Sequence, residues 1–254
     1  MGIAPYQAVF LHGFLGSGAD WKPLFSELKA PSGRDIAPDY LQEQLLSPTH
    51  SPLSEWGRLF LSWCENRKLP MKKTILVGYS MGGRLALHAM RASEFSFAKI
   101  ILISAHPGLS QDDDETREQR RIHDQNWAAE LEKGRWEDVI KRWNSLPVFA
   151  GSAAEPCRLQ EEAHRHLHAA SLRRWSLSFQ QDFQQDLMAY PEKFHYVVGE
   201  RDSKYCALWN QLALTSNRLR GKIIEGSGHR VLFDQPRLLA EEIERVIEAL
   251  PSFE

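Results

Sequence analysis

The chemistry in this chain is easiest to see around one serine. Ser80 sits among small residues in Gly78-Tyr79-Ser80-Met81-Gly82, and a histidine closes the late segment Gly226-Ser227-Gly228-His229. A serine hydroxyl reacts poorly until an imidazole takes its proton, and that imidazole needs an acid to fix its orientation and tautomer. Two acids follow an apolar run at the right remove, Glu200 and Asp202 in Gly199-Glu200-Arg201-Asp202. The spacing of Gly78 and Gly82 suits a sharp strand-to-helix turn, which is too crowded for side chains two positions either side of its apex. A helix starting behind Ser80 would favour developing negative charge. A developing oxyanion also needs N–H donors, and the backbone N–H groups of Met81 and of Phe14, in Leu11-His12-Gly13-Phe14, are the candidates. Such a set of parts serves acyl transfer, or proton abstraction next to a carbonyl.

The elements that must position these residues alternate as parallel βαβ units do. Strands are predicted over residues 7–12 (QAVFLH), 74–78 (TILVG), 99–104 (KIILIS), 195–199 (HYVVG) and 221–225 (GKIIE). Helices are predicted over 20–29 and 51–69, the latter with Ser51 as cap, Pro52 in its first position and an apolar stripe of Leu53, Trp56, Leu59, Phe60 and Trp63. A further helix is expected over 84–90 and a closing one over 236–250. Asp202 and His229 then follow predicted strands, at the carboxyl edge where open α/β sheets bind ligands. From about 107 to 190 no strand-like run occurs, only amphipathic stretches. That length of structureless loop is improbable, so a helical lid is expected, and His164, His166 and His168 are placed on a solvated helix within it. The division is therefore a core over 1–106, a lid insertion over 107–190 and a returning core over 191–254.

Composition sets bounds on the rest. A chain of 254 residues with 43% apolar and 25% charged residues suits one α/β domain. A formal net charge of -2 offers no global attraction to nucleic acid or to a membrane surface, so any preference for an anionic substrate must come from locally placed Arg. Cys64, Cys157 and Cys206 are odd in number and widely spaced, without metal-ligand spacing, and read as free thiols in a reducing compartment. No apolar run approaches a bilayer-spanning length and no leader pattern is apparent, so a soluble cytoplasmic protein is expected. Nothing in the sequence sets an oligomeric state.

With these segments assembled, the core resembles the α/β-hydrolase superfamily, a mostly parallel sheet flanked by helices, in which the partners follow in the order Ser, Asp, His; this spacing favours Asp202 over Glu200. Fold alone does not assign a reaction. A closer resemblance lies in LHGFLG (11–16), GYSMGGR (78–84), HPGL (106–109), EQRRIHDQNW (118–127), Trp143, PVFA (147–150) and GERDSKY (199–205), which look like the MenH family of 2-succinyl-6-hydroxy-2,4-cyclohexadiene-1-carboxylate (SHCHC) synthases. The resemblance implies a lyase of menaquinone biosynthesis that eliminates pyruvate from a tricarboxylate, 2-succinyl-5-enolpyruvyl-6-hydroxy-3-cyclohexene-1-carboxylate, with no metal or organic cofactor. It implies Ser80, Asp202 and His229 as the catalytic set, Phe14 and Met81 as the oxyanion hole, and Tyr79, Arg84, Arg120 and Trp143 as substrate-binding residues. Arg84 stands four residues beyond Ser80 and is expected to face the site. The family's further Arg falls on His164 or Arg165. After Asp35 the chain reads Ile36-Ala37-Pro38-Asp39-Tyr40, where relatives commonly carry a Pro-Gly-His-Gly turn. The alternative reading is a carboxylesterase or C–C bond hydrolase with the same three residues.

Overall fold

In the computed structural model, which describes residues 6–29 and 35–251, five strands form one parallel sheet in chain order. They are β1 (Gln7–Leu11), β2 (Thr74–Tyr79), β3 (Lys99–Ile103), β4 (Phe194–Gly199) and β5 (Arg220–Ile224). Val9 lies opposite Leu76, Leu76 opposite Ile100, and Leu102 opposite Tyr196, so buried residues form rows across the sheet. The free edge of β1 is covered by the segment at Ile36: the Phe10 N–H donates to the Ile36 carbonyl at 2.8 Å and the Ile36 N–H to the Ala8 carbonyl at 2.9 Å. This segment, where the departure from the family pattern begins, thus closes an otherwise unpaired strand edge.

Among the described residues ten α-helices accompany the sheet: α1 (Lys22–Glu27), α2 (Leu53–Asn66), α3 (Met81–Ala92), α4 (Asp114–Lys133), α5 (Trp136–Asn144), α6 (Arg165–Arg174), α7 (Gln184–Ala189), α8 (Ser203–Thr215), α9 (Val231–Asp234) and α10 (Pro236–Glu248). Alternate side chains of each strand enter opposite layers, as the period of two demands. Val9, Leu76, Ile100 and Leu102 join α2 and α3 on one face, while Phe10, Ile75, Val77 and Ile101 pack on Trp21, Leu239 and Ile243 on the other. The α2 stripe forms an aromatic ladder, with Phe60 stacked 5.0 Å from Trp56 and 5.4 Å from Trp63. Burying each such ring contributes about 2–3 kcal/mol. Between β3 and β4 the described residues contain helices and no strand, and Leu131, Trp136, Val139 and Leu172 form a small apolar cluster there.

Helix boundaries depart from the expected ones in several places: α3 runs over Met81–Ala92 where 84–90 was expected, and α10 ends at Glu248 rather than 250. The segment expected as one helix over 20–29 is a 3-10 turn, Gly18–Trp21, followed by α1, because Leu28 returns to extended backbone. Ser51 does not cap α2. Its hydroxyl is buried and donates to the carbonyls of Leu46 and Ser47, and Pro52, extended at ψ 154°, occupies the cap position instead. The helix ends earlier than expected through a left-handed Lys68 (φ 56°), whose neighbour Leu69 donates back to the Cys64 carbonyl at 3.0 Å.

Candidate active site

Ser80 occupies the turn between β2 and α3 with φ 50° and ψ -110°, a strained conformation for a residue bearing a Cβ. The Ser80 N–H, donating to the Ile103 carbonyl at 2.8 Å, helps to hold it there. The flanking glycines are required by contact: a Cβ on Gly82 would lie 2.0 Å from the Leu11 carbonyl oxygen, and one on Gly78 would lie 2.4 Å from the Gly83 Cα. The strand, the turn and the helix therefore push the Ser80 hydroxyl out beyond the carboxyl edge of the sheet.

The partners arrive from the ends of the last two strands, β4 and β5. His229 Nε2 lies 3.2 Å from Ser80 Oγ, and His229 Nδ1 lies 2.7 Å from Asp202 Oδ2. Asp202 is buried and also caps α8, its other oxygen accepting from the Tyr205 N–H at 3.4 Å. Glu200 takes a different task, accepting the Gly226 N–H at 3.0 Å and so bracing the loop that carries His229. The two acids that the motif offered are thereby separated by geometry, one on the imidazole and one on the loop behind it. A proton can pass from the Ser80 hydroxyl to His229 while Asp202 holds the ring.

The backbone N–H groups of Phe14 and Met81 take part in no hydrogen bond among the described residues, so both remain available to an oxyanion. His12 organises the turn before Phe14. Its ring is fully buried, stacks 4.0 Å from Tyr40, and donates from Nδ1 to the Gly13 carbonyl at 2.9 Å. Burial holds the ring neutral, pulling its pKa down to about 4. A cavity partly open to solvent lies at Ser80 and His229, with Phe14, Tyr79 and Trp143 in its wall. Trp143 packs 4.8 Å from Phe14 and 5.0 Å from Trp127, ring centre to ring centre. Burial drives the Tyr79 phenol well above its ordinary pKa, so it stays protonated.

The cations are arranged differently from the expectation. The guanidiniums in the wall of this cavity belong to Arg158 and Arg230. Arg84 is not among the lining residues; it is buried, donating from Nε to Gln180 Oε1 and from Nη2 to the Trp175 carbonyl. Burial and the neighbouring Arg120 pull its pKa down to about 10. Arg120 Nε is shared between both carboxylate oxygens of Asp124, at 2.9 Å each. Both cations are close enough to Tyr205 to act on its charge; the Tyr205 ring is 4.9 Å from that of His229, and burial pushes its phenol up to about 12. Arg165 ties the Leu131 and Gly134 carbonyls, and His164 sits 3.8 Å from Glu161, so neither is placed at the cavity. His168 is fully buried, 3.0 Å from Glu161 and edge-on to Phe14, which corrects its placement on a solvated helix face. Arg158 and Arg230 escaped sequence reasoning, although Arg230 adjoins His229 and Arg158 carries no motif at all.

Comparison with known proteins agrees with this geometry at the level of fold. The pattern of the Alpha/beta hydrolase family matches residues 8–242. A protein of Salmonella paratyphi C named 2-succinyl-6-hydroxy-2,4-cyclohexadiene-1-carboxylate synthase is 27% identical over 94% of this chain and 92% of its own length. The solved structure of MenH from S. aureus superposes with a TM-score of 0.78 at 21% identity, covering 96% of this chain and 94% of that one. A thermophilic esterase from Thermogutta terrifontis, in a malate-bound structure, superposes with a TM-score of 0.70 at 21% identity, over 96% of this chain and 89% of that one. With the sheet, the Ser80 turn and the family match together, the chain belongs to the α/β hydrolase family.

Proposed function

We propose that this chain is an SHCHC synthase, a carbon–oxygen lyase that releases pyruvate from a cyclohexene tricarboxylate. The observation that carries the reading is a serine–imidazole contact opening into a cavity walled by guanidinium and indole groups, in a chain 27% identical to synthases of that name. In the proposed reaction Ser80, relayed by His229, removes the ring proton beside the succinyl ketone. Charge gathers on the ketone oxygen, where the Phe14 and Met81 N–H groups can receive it. The electron pair then moves through the ring double bond and breaks the C–O bond, and the departing enolpyruvate is protonated to pyruvate. No acyl-enzyme is required. Asp202 holds His229 in the productive tautomer.

Tyr79 and Trp143 would border the substrate, and the helices between β3 and β4 would act as its lid. Arg84 and Arg120 would act on the acidic substrate mainly through their field, with direct contact requiring the lid side chains Gln180 and Asp124 to release them. The engaged state of Arg84 favours the second reading, a small-molecule esterase or C–C hydrolase, which needs no cation there. The deciding experiment offers the enolpyruvyl substrate and p-nitrophenyl acetate side by side, with pyruvate release followed by a coupled assay. Pyruvate release that Ser80→Ala abolishes is the expected result. Rapid ester turnover without pyruvate release would select the hydrolase.

A further inference from the structure

The two guanidiniums at the cavity differ in how their charge is met. Arg158 forms a bidentate ion pair with Asp20, at 2.7 and 3.0 Å, with both side chains nearly buried, so its charge is already balanced. Arg230 is also nearly buried, yet among the described residues no carboxylate lies within ion-pair distance of it. Its contacts are neutral: Nη1 donates to the Ala154 carbonyl at 2.9 Å, Nη2 donates to Asn144 Oδ1, and the guanidinium carbon lies 4.1 Å from the centre of the Phe149 ring. The nearest acids are committed elsewhere. Asp234 accepts the backbone N–H groups of Ala154 and Gly228, and Glu155 accepts from the Asn144 side-chain amide, which stands between it and Arg230. A buried cation without a counter-charge is costly, and it is retained only where something repays the desolvation. Here the fork is oriented by two neutral acceptors and an aromatic face, with further N–H donors left unused and the cavity in front of them.

We propose that Arg230, aligned by Asn144 and Phe149, is a carboxylate-binding subsite of the Ser80 cavity, filled by one acidic arm of the substrate. The identity of the natural ligand rests on the synthase reading above; the subsite itself rests on the unbalanced charge. Titration calorimetry with succinate at low ionic strength tests it in the full-length protein. Wild type is expected to bind succinate, and Arg230→Gln to bind it roughly tenfold or more weakly, as befits a lost charged hydrogen bond. Arg230→Lys should retain part of the affinity, keeping the charge but not the fork.

Asn144→Asp is the discriminating variant. It strengthens the tie that holds Arg230 and supplies the missing counter-charge, but it also sets a carboxylate against Glu155; affinity should fall about as far as in Arg230→Gln, and equally far when Glu155→Gln is added to remove that repulsion. If Arg230 merely stapled residues 144–154 to the His229 loop, Asn144→Asp would bind succinate like wild type, and the proposal would be overturned. Wild type that binds no succinate at millimolar concentration overturns it equally. Succinate binding that depends on Arg230, in a protein that releases no pyruvate, would leave the subsite standing and remove only the synthase reading.

Discussion

At the scale of single residues, the site depends on which acid meets the imidazole. Asp202 and Glu200 are two positions apart and chemically alike, yet one oxygen of Asp202 lies 2.7 Å from His229 while Glu200 braces Gly226. Asp202→Asn should keep the α8 cap, because an amide oxygen caps nearly as well as a carboxylate. It should nonetheless lower kcat by roughly 10³–10⁴, since the amide stabilises the wrong imidazole tautomer and no imidazolium. Glu200→Gln retains an acceptor for the Gly226 N–H and should stay within a few-fold of wild type. Steady-state kinetics on both variants with one substrate checks the assignment; equal losses would mean that Glu200 shares the role.

Among the elements, termini rather than interiors show where side-chain chemistry and backbone geometry compete. The apolar stripe of α2 was plain in the sequence and is buried as its spacing requires, but its ends were not legible. Ser51 had the right chemistry for a cap and spends its hydroxyl on carbonyls of the preceding turn. At the other end Lys68 adopts φ 56° where glycine would carry no Cβ penalty. Lys68→Gly should therefore raise unfolding free energy by about 0.5–1 kcal/mol without affecting activity, as read from urea denaturation. A destabilised variant would show that the lysine side chain contributes more than its backbone strain costs.

For the molecule as a whole, burial of titratable groups links stability to pH. His88 is buried edge-on to Phe183, and burial together with Arg84 and Arg91 pulls its pKa down to about 3. The native state thus prefers the neutral ring, whereas the unfolded chain protonates near 6.5. This contribution is complete above pH 6.5 and is lost as the pH falls toward 3, at about 1.4 kcal/mol per pH unit while only the unfolded state is protonated. Melting followed from pH 7 to pH 4 should show a decline, and His88→Gln should flatten it by one histidine's share. An unchanged slope would place the acid sensitivity in other groups, His106 being the next candidate with a pKa held down to about 3 by burial, Lys204 and Arg84.

What the sequence determined by itself was everything carried by local pattern. Period-two and helical spacing announced the strands and the main helices, and the crowding of a tight turn announced Gly78, Ser80 and Gly82. The strand ends then placed Asp202 and His229 at one edge, because parallel strands share a carboxyl side. Tertiary structure decided which charges face the cavity. A guanidinium rides on a long flexible stem, so its position depends on partners distant in the chain: Arg84 is drawn to Trp175 and Gln180, Arg158 to Asp20, Arg230 to Asn144 and Ala154. It also decided that His168, polar and helical in sequence, is enclosed beneath Phe14 against Glu161. Backbone periodicity is written within a few neighbouring residues, whereas the direction of a long side chain is settled by a competition among contacts that exist only after folding.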